Sequence, residues 1–279
     1  MQRRFPLFIL TLLASLLTGC ASGPQIDKTF SAVSQDSRVR FLVIHYTAVP
    51  FDGSLKILTK QAVSSHYLVQ DKTGKIFGLV DEQRRSYHAG VSFWRGHTNL
   101  NYSSVGIEIV NEGFKDTAEG RVYIPYDDKQ IDTVVQLVED IIRRNQIAPE
   151  NVVGHSDIAP QRKTDPGPLF PWKRLADKGL ILWPDAERVA LKQSEFTLAM
   201  PDAAWVQNRL ASVGYLVPQN GQLDKETTNV IAAFQMKYRP AKYDGAPDAE
   251  TAAMLDVLTT PVPAMMKCQQ MMMQAPCAH

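Results

Sequence analysis

The hydrophobic residues of this chain form two kinds of pattern, short continuous runs and longer stretches with helical spacing. Short continuous runs are typical of strands that are buried on both faces. Such runs predict strands at 41–44, 66–69, 75–78, 105–110 and 151–154. A turn is predicted between the second and the third of these strands. Helical spacing predicts helices near 55–62 and over 128–144. Strands that alternate with helices predict a mixed α/β domain over 39–185, with a central sheet flanked by helices.

A different pattern begins near Pro201. Three segments of helical length are separated by Gly and Pro residues, at 205–213, 227–238 and 249–258. Asp224 and Asp248 stand where helix N-caps are expected. We therefore predict a second, small domain of three helices over 198–258.

The last stretch, 259–279, is expected to be a flexible tail. It contains a methionine cluster together with Cys268 and Cys277. Soft sulfur ligands could hold Cu(I), and the two cysteines could form a disulfide in an oxidising compartment. A tail without a specific role is the interpretation that we favour.

Composition and charge narrow the class of protein. The chain has 279 residues, of which 44% are hydrophobic and 21% charged, as is typical of globular proteins with a buried core. Lys and Arg number 30 and Asp and Glu 29, giving a net charge of +1. Proteins that bind nucleic acid through phosphate contacts have a basic excess, so we expect no nucleic-acid partner. Three cysteines are too few for a disulfide scaffold.

The first twenty residues have the order of an export signal. Two arginines precede an apolar run, residues 5–17, that is too short to span a bilayer, and small residues then lead into Cys20. The segment resembles the lipobox of bacterial lipoproteins. That resemblance implies a signal peptide over 1–19, acyl chains such as palmitate on Cys20, and a lipidated tether over 20–38. An ordinary signal peptide with an incidental cysteine is the alternative.

The residue after Cys20 bears on the compartment. It is Ala21, and not the Asp that would resemble an inner-membrane retention signal. We therefore expect an outer-membrane lipoprotein that faces the periplasm, and we expect it to be a monomer.

Two histidines stand at the ends of predicted strands. His45 and His155 each follow an apolar run, and strand ends are where α/β sheets present functional groups. Asp165 lies in the proline-rich loop that follows His155. Two imidazoles and one carboxylate form a three-ligand set that leaves the fourth position of zinc for water. The alternative is that the two histidines are structural residues with their hydrogen bonds made inside the protein, because nothing local holds the three residues together.

Five segments of the α/β region resemble one enzyme family. They are residues 43–48, 65–69, 88–90, 105–108 and 154–168, of which the last is the most specific. They resemble the zinc-dependent N-acetylmuramoyl-L-alanine amidases, the family shared by AmpD, the phage lysozyme-amidase and the peptidoglycan recognition proteins. The resemblance covers roughly residues 38–185. It implies one zinc ion, held by His45, His155 and Asp165.

The same resemblance implies the roles of further residues. Glu108 would be the general base, and a carboxylate in an apolar run tends toward raised basicity. Lys163 would stabilise the transition state, as a cation near a developing oxyanion. Tyr46 and Thr47 would line the substrate pocket. Without the resemblance, Glu108 and Lys163 would be read as an outward-facing strand residue and an exposed loop lysine.

Some positions depart from the family pattern. Ser65 stands where some relatives carry a Tyr near the zinc. Many AmpD-like sequences have Arg and Asp where Asn99 and Tyr102 stand here, so Arg95 could take over recognition of a stem-peptide carboxylate. The neighbouring loop with His88 and Trp94 could contact sugar or peptide, or simply pack.

The C-terminal helices also have a resemblance. Segments within 221–251 resemble the three-helix peptidoglycan-binding domain, although a domain that only supports the first one is the alternative. The whole sequence predicts an enzyme that hydrolyses the amide between N-acetylmuramic acid, including its 1,6-anhydro form, and L-alanine. Its partners would be peptidoglycan and muropeptides. A non-catalytic peptidoglycan-binding lipoprotein and a zinc peptidase acting within the stem peptide are the competing hypotheses.

Overall fold

The computed structural model describes residues 24, 26–118 and 120–261. Contacts between Cα atoms divide the chain into two compact units, Met1–Asp36 and Ser37–His279. In the first unit, described residues 26–36 contain no helix or strand and have exposed side chains. Cys20, the predicted signal peptide and the residues beyond 261 lie outside the described residues, so the predictions made for them stay predictions. None of the helices in the described ranges has the length and apolar character needed to cross a membrane.

A five-stranded sheet lies at the centre of Ser37–His279. Its strands are β1 (Phe41–Tyr46), β2 (Tyr67–Val69), β3 (Ile76–Gly78), β6 (Ser104–Ile109) and β9 (Val152–Gly154), in the order β3-β2-β6-β1-β9. Neighbouring strands run parallel except β2 and β3, which form the predicted hairpin. Two small antiparallel pairs complete the strands: β4 (Phe93–Trp94) with β5 (His97–Thr98), and β7 (Phe114–Thr117) with β8 (Gly120–Tyr123).

Eight α-helices occur in the described part of the chain. They are α1 (Phe51–Lys60), α2 (Asp128–Asn145), α3 (His155–Ile158), α4 (Trp172–Ala176), α5 (Ala186–Leu198), α6 (Ala203–Val213), α7 (Lys225–Tyr238) and α8 (Ala249–Thr259). Short 3₁₀ turns lie at Leu100–Tyr102 and Pro149–Asn151. The mixed α/β class with C-terminal helices is therefore confirmed. The first helix begins four residues before the predicted start, directly after Pro50, whose fixed backbone suits a helix entry.

The side chains of β1 alternate between two hydrophobic cores. Leu42 and Ile44 pack with the apolar face of α2 in one core. Phe41 and Val43 belong to another core, which also contains residues of the C-terminal helices such as Phe234. Because successive strand residues point to opposite faces, His45 points to the same face as Phe41 and Val43. The functional face of β1 is thus the one that adjoins the C-terminal helices.

The C-terminal helices begin with aspartate caps. The side chains of Asp202, Asp224 and Asp248 each accept a hydrogen bond from a backbone N–H in the first turn of the helix that follows. This confirms the caps predicted at Asp224 and Asp248. Helix α5, which the sequence analysis did not predict, packs Val189 against Ala253 and Val257 of α8. A fourth helix thus packs with the three predicted ones.

Candidate active site

Three neighbouring strands end at one edge of the sheet, and each brings a polar side chain there. Strands β6, β1 and β9 are parallel neighbours, so their carboxyl ends meet. His45, near the end of β1, pairs in register with Glu108 of β6. His155 directly follows β9. The edge at which the strand ends meet therefore collects three of the residues singled out from the sequence.

Asp165 completes a cluster with the two histidines. His45 Nδ1 and His155 Nδ1 lie 2.9 Å apart, and each lies 3.0 Å from Asp165 Oδ2. All three side chains are buried. Among the described residues, this is the group of His, Cys, Asp or Glu whose atoms lie close enough to hold a metal ion. Imidazole nitrogens and a carboxylate oxygen are zinc ligands.

The protonation of the cluster suits a cation. Burial, followed by the proximity of His155, lowers the pKa of His45 to about 4, so this imidazole is neutral at neutral pH. Burial alone would raise the pKa of Asp165, but the neighbouring imidazoles of His155 and His45 hold it well below its usual range. An ionised carboxylate thus faces a neutral imidazole at the centre of the cluster.

Backbone contacts hold His155 and Asp165 together. The N–H of Ser156 donates to the carbonyl of Asp165 at 2.8 Å. His155 Nε2 lies 3.1 Å from the carbonyl oxygen of Ala89, and a carbonyl only accepts. Arg162 Nη2, which also lies near Nε2, directs its protons to the carbonyls of Ala89 and Val91. His155 Nε2 therefore carries the proton, and its Nδ1 presents a lone pair to the cluster.

Glu108 lies beside the cluster without a hydrogen bond. Its Oε2 is buried and has no partner in the described part of the chain. Burial raises the pKa of Glu108 well above its ordinary range, Asp165 raises it further, and Lys163 opposes the shift. An unpartnered carboxylate with raised basicity is suited to accept a proton from a molecule in the site.

A cleft of about 220 Å³ opens over the cluster. Its walls include the residues that were expected to act there, with an apolar side formed by α1 and its flanks: His45, Tyr46, Thr47, Val49, Ile57, Leu58, Val63, Tyr87, Glu108, His155, Lys163 and Asp165. Lys163 Nζ forms no hydrogen bond or ion pair with the described residues, which leaves the ammonium group free for a ligand. The Thr47 hydroxyl donates to Val49 O, and the Tyr46 hydroxyl lies 3.0 Å from Thr164 Oγ1. Burial, the largest effect on it, raises the pKa of Tyr46 to about 12.

Other residues noted in the sequence lie away from the cleft or are buried. Ser65 donates its hydroxyl proton to the carbonyl of Gly106. Trp94 is buried, and its indole N–H donates to Glu150 O, so packing and not sugar stacking describes it. Arg95 donates to Val213 O, which holds it against the C-terminal helices. His88 is buried directly behind His45.

A buried ion pair beside the site was not predicted. Lys237 of α7 donates from Nζ to Asp157 Oδ2 at 3.0 Å, and both side chains are almost completely buried. Asp157 also accepts from the hydroxyl of Tyr215 at 2.6 Å and from the N–H of Gly154 at 2.8 Å. Asp157 lies two residues after His155. The C-terminal helices therefore contact the segment that carries a cluster histidine.

Two family models match this chain. That of the N-acetylmuramoyl-L-alanine amidases matches residues 35–168, and one described as a peptidoglycan binding domain matches residues 200–255. The chain is 45% identical over 272 residues to the N-acetylmuramoyl-L-alanine amidase AmiD of Escherichia coli strain K12, covering 92% of this chain and 98% of that protein. It is 36% identical over 160 residues to the 1,6-anhydro-N-acetylmuramyl-L-alanine amidase AmpD of Enterobacter cloacae, covering 57% and 73%.

Solved structures are similar over most of the fold. The complex of E. coli AmiD with the substrate anhydro-N-acetylmuramic acid-L-Ala-D-gamma-Glu-L-Lys has a TM-score of 0.77 and 44% identity, covering 85% of this chain and 94% of that one. AmpDH3 of Pseudomonas aeruginosa, in complex with anhydromuramic pentapeptide, has a TM-score of 0.78 and 40% identity, covering 84% and 97%.

Proposed function

We propose a mechanism and a cellular setting from one premise: this chain belongs to the N-acetylmuramoyl-L-alanine amidase family. It is an amidase that hydrolyses the amide bond between N-acetylmuramic acid and L-alanine in peptidoglycan. The anhydro sugars bound in the two solved complexes support anhydromuramyl peptides as substrates of this chain too.

The cluster of His45, His155 and Asp165 would hold one zinc ion. Its donor set fits the metal, because three ligand atoms converge and His155 Nδ1 presents a lone pair to them. When bound, zinc would lower the pKa of a water molecule and polarise the amide carbonyl of the substrate. The buried, unpartnered Glu108 Oε2 also points to a ligand that this site accommodates.

Glu108 would move the proton. Its raised pKa makes the carboxylate a better base than an exposed glutamate, so it accepts a proton from the attacking water. The protonated carboxyl then gives the proton to the nitrogen of L-alanine as the C–N bond breaks. The products are a free muramic carboxylate and a peptide with a free amino terminus.

Lys163 would stabilise the charge that develops on the carbonyl oxygen. Its side chain lines the cleft with the metal cluster, and its ammonium group has no partner among the described residues. A preorganised cation that strengthens its interaction only as the oxyanion forms lowers the barrier to the reaction. Tyr46 and Thr47 would line the pocket beside it.

The setting that we propose is the cell envelope. The lipobox resemblance of the leader supports a lipid anchor at Cys20 and an outer-membrane location facing the periplasm, where peptidoglycan lies. The family match of residues 200–255 supports a contribution of the C-terminal helices to peptidoglycan binding. The amidase domain would comprise residues 39–185 and the helical domain residues 198–258. The protein would act as a monomer.

Mass spectrometry of muropeptides tests this function. The full-length protein is incubated with purified muropeptides, with and without a chelator. Peptides that begin at L-alanine should appear, disappear on chelation and return with added zinc. Glu108→Gln should abolish their release while zinc binding is retained. Release at a different amide would favour a zinc peptidase, and binding to peptidoglycan without any release would favour a tether.

A further inference from the structure

His88 connects His45 to the backbone on the side away from the cluster. His88 Nδ1 lies 2.9 Å from His45 Nε2, and the ring planes are nearly perpendicular, at 87°. His88 Nε2 lies 3.1 Å from the hydroxyl of Ser104. That hydroxyl lies 2.6 Å from the carbonyl oxygen of Leu100. Four groups therefore form a continuous line from the cluster to a backbone carbonyl.

The carbonyl at the end of this line fixes the direction of every hydrogen bond. It can only accept, so Ser104 gives it the single hydroxyl proton. Ser104 Oγ then accepts from His88, which places a proton on His88 Nε2. An imidazole that donates from one ring nitrogen accepts at the other, so His88 Nδ1 has a lone pair and accepts from His45 Nε2. With Nε2 of His45 as the donor, the other ring nitrogen, Nδ1, presents its lone pair to His155 and Asp165.

We propose that His88 is a positioning residue of the metal site, which holds the Nε2–H of His45 and thereby keeps His45 Nδ1 unprotonated and directed at the metal. This inference rests on the proposed zinc site. Metal-bound histidines commonly donate their second N–H to a fixed acceptor, which sets the tautomer and the ring orientation. Here that acceptor is another histidine, whose own tautomer is set by Ser104.

The surrounding chain is built to hold His88 in this place. A Cβ atom added to Gly106 would lie 2.6 Å from the His88 ring, so only glycine leaves room for it. Asn101 Oδ1 accepts hydrogen bonds from the backbone N–H groups of His88 and Ala89, at 3.1 and 2.7 Å. Both the ring and its backbone are thus fixed.

His66 offers a matched control. It is a fully buried histidine whose ring centroid lies 5.8 Å from that of His88. Its Nε2 contacts Arg84 O and its Nδ1 accepts from the N–H of Gly106, so it has no hydrogen bond to a cluster residue. A purely structural role for His88 would make the two histidines equivalent with respect to metal binding.

The test compares zinc affinity and imidazole tautomers in the full-length protein. Zinc affinity is measured by competition with a chromophoric chelator, on variants whose circular dichroism matches the wild type. His88→Leu fills the space but removes the acceptor, and we expect a loss of zinc affinity of roughly 10- to 100-fold. His88→Asn keeps an oxygen near the Nδ1 position and should restore much of the affinity. His66→Leu should lower the melting temperature and leave zinc affinity within about twofold, since it touches no ligand.

Nitrogen NMR of the metal-free protein tests the tautomer directly. The wild-type protein should show His45 as the Nε2–H form, and His88→Leu should populate the Nδ1–H form as well. Ser104→Ala is a smaller change and should shift the tautomer of His88. It tests the same series of hydrogen bonds if His88→Leu does not fold. Equal zinc affinities for His88→Leu and His66→Leu, with the His45 tautomer unchanged, would overturn the inference. A wild-type protein that binds no zinc but shows the Nε2–H form would instead refute the proposed zinc site.

Discussion

The buried pair of Lys237 and Asp157 leads to a sharp prediction about stability. Replacing Lys237 with Met keeps the length and packing of the side chain over the ring of Trp172, 4.6 Å from Nζ, but removes the charge. Asp157 would then stay buried without its cationic partner, with only the Tyr215 hydroxyl and the Gly154 N–H as hydrogen-bond donors. Breaking a buried ion pair by removing one partner typically costs about 3–5 kcal/mol.

The two hydrogen bonds that remain to Asp157 place the expected cost near the lower limit, about 3 kcal/mol. For a folded unit of this size, that corresponds to a fall in melting temperature of roughly 6–12 °C. Asp157→Asn combined with Lys237→Met removes both charges and should recover most of the loss. The interaction energy of the double-mutant cycle should therefore be large, at least about 2 kcal/mol.

Thermal and urea unfolding of the full-length protein measure these effects. Lys242→Met is a suitable control, because Lys242 is exposed and pairs with Asp248 at the surface of the same helical region. Its loss should cost less than about 1 kcal/mol. A Lys237→Met variant as stable as the Lys242→Met control would refute the reasoning, and so would a double variant whose loss equals the sum of the single losses.

Three further predictions concern the site and the helices. Lys163→Met should lower kcat by roughly 100- to 1,000-fold with zinc affinity unchanged, as measured by steady-state kinetics and chelator competition. Burial raises the pKa of Glu108, so metal-free native protein binds more protons than unfolded protein above the ordinary glutamate range, and its stability falls as pH rises there. Glu108→Gln should therefore be more stable than wild type at pH 7, and melting curves should converge under acidic conditions. Asp224→Ala removes an N-cap and should cost about 1 kcal/mol in urea unfolding.

The parts of the site that lie at strand ends could be predicted from the sequence. An apolar run that ends in a histidine identifies both a buried strand and the residue at its carboxyl end, as with His45 and His155. Parallel neighbours then bring such ends together without any knowledge of the loops. The roles proposed for Glu108 and Lys163 needed the family resemblance, because a single polar residue in a strand or loop has no distinctive spacing.

The contacts with the C-terminal helices could not be predicted in this way. Lys237 lies in the last turn of α7, where a lysine is ordinary because it interacts with the helix dipole at the surface. Its partner Asp157 lies 80 residues away in the chain, and no periodicity joins the two. Helix α5 was missed for a related reason, since only Val189 is buried and apolar residues such as Leu191 and Leu198 are exposed.

One short segment, which contains His88 and Ala89, contacts both histidines of the cluster. The side chain of His88 accepts from His45, and the carbonyl of the next residue, Ala89, accepts from His155. A displacement of this segment would therefore move both imidazoles together. Asp165 is held instead by Ser156 N–H, in the segment that Lys237 anchors through Asp157. The position of His45 relative to His155 and Asp165 thus depends on how these two segments are joined.

Arg162 connects these two segments through hydrogen bonds. It lies in the loop that carries Asp165, and its guanidinium donates to the carbonyls of Ala89 and Val91 in the other segment. Because the same guanidinium nitrogen, Nη2, donates to both carbonyls, this contact limits sliding of one segment along the other. The geometry of the cluster is therefore set by polar contacts between loops together with strand β1, which carries His45 itself.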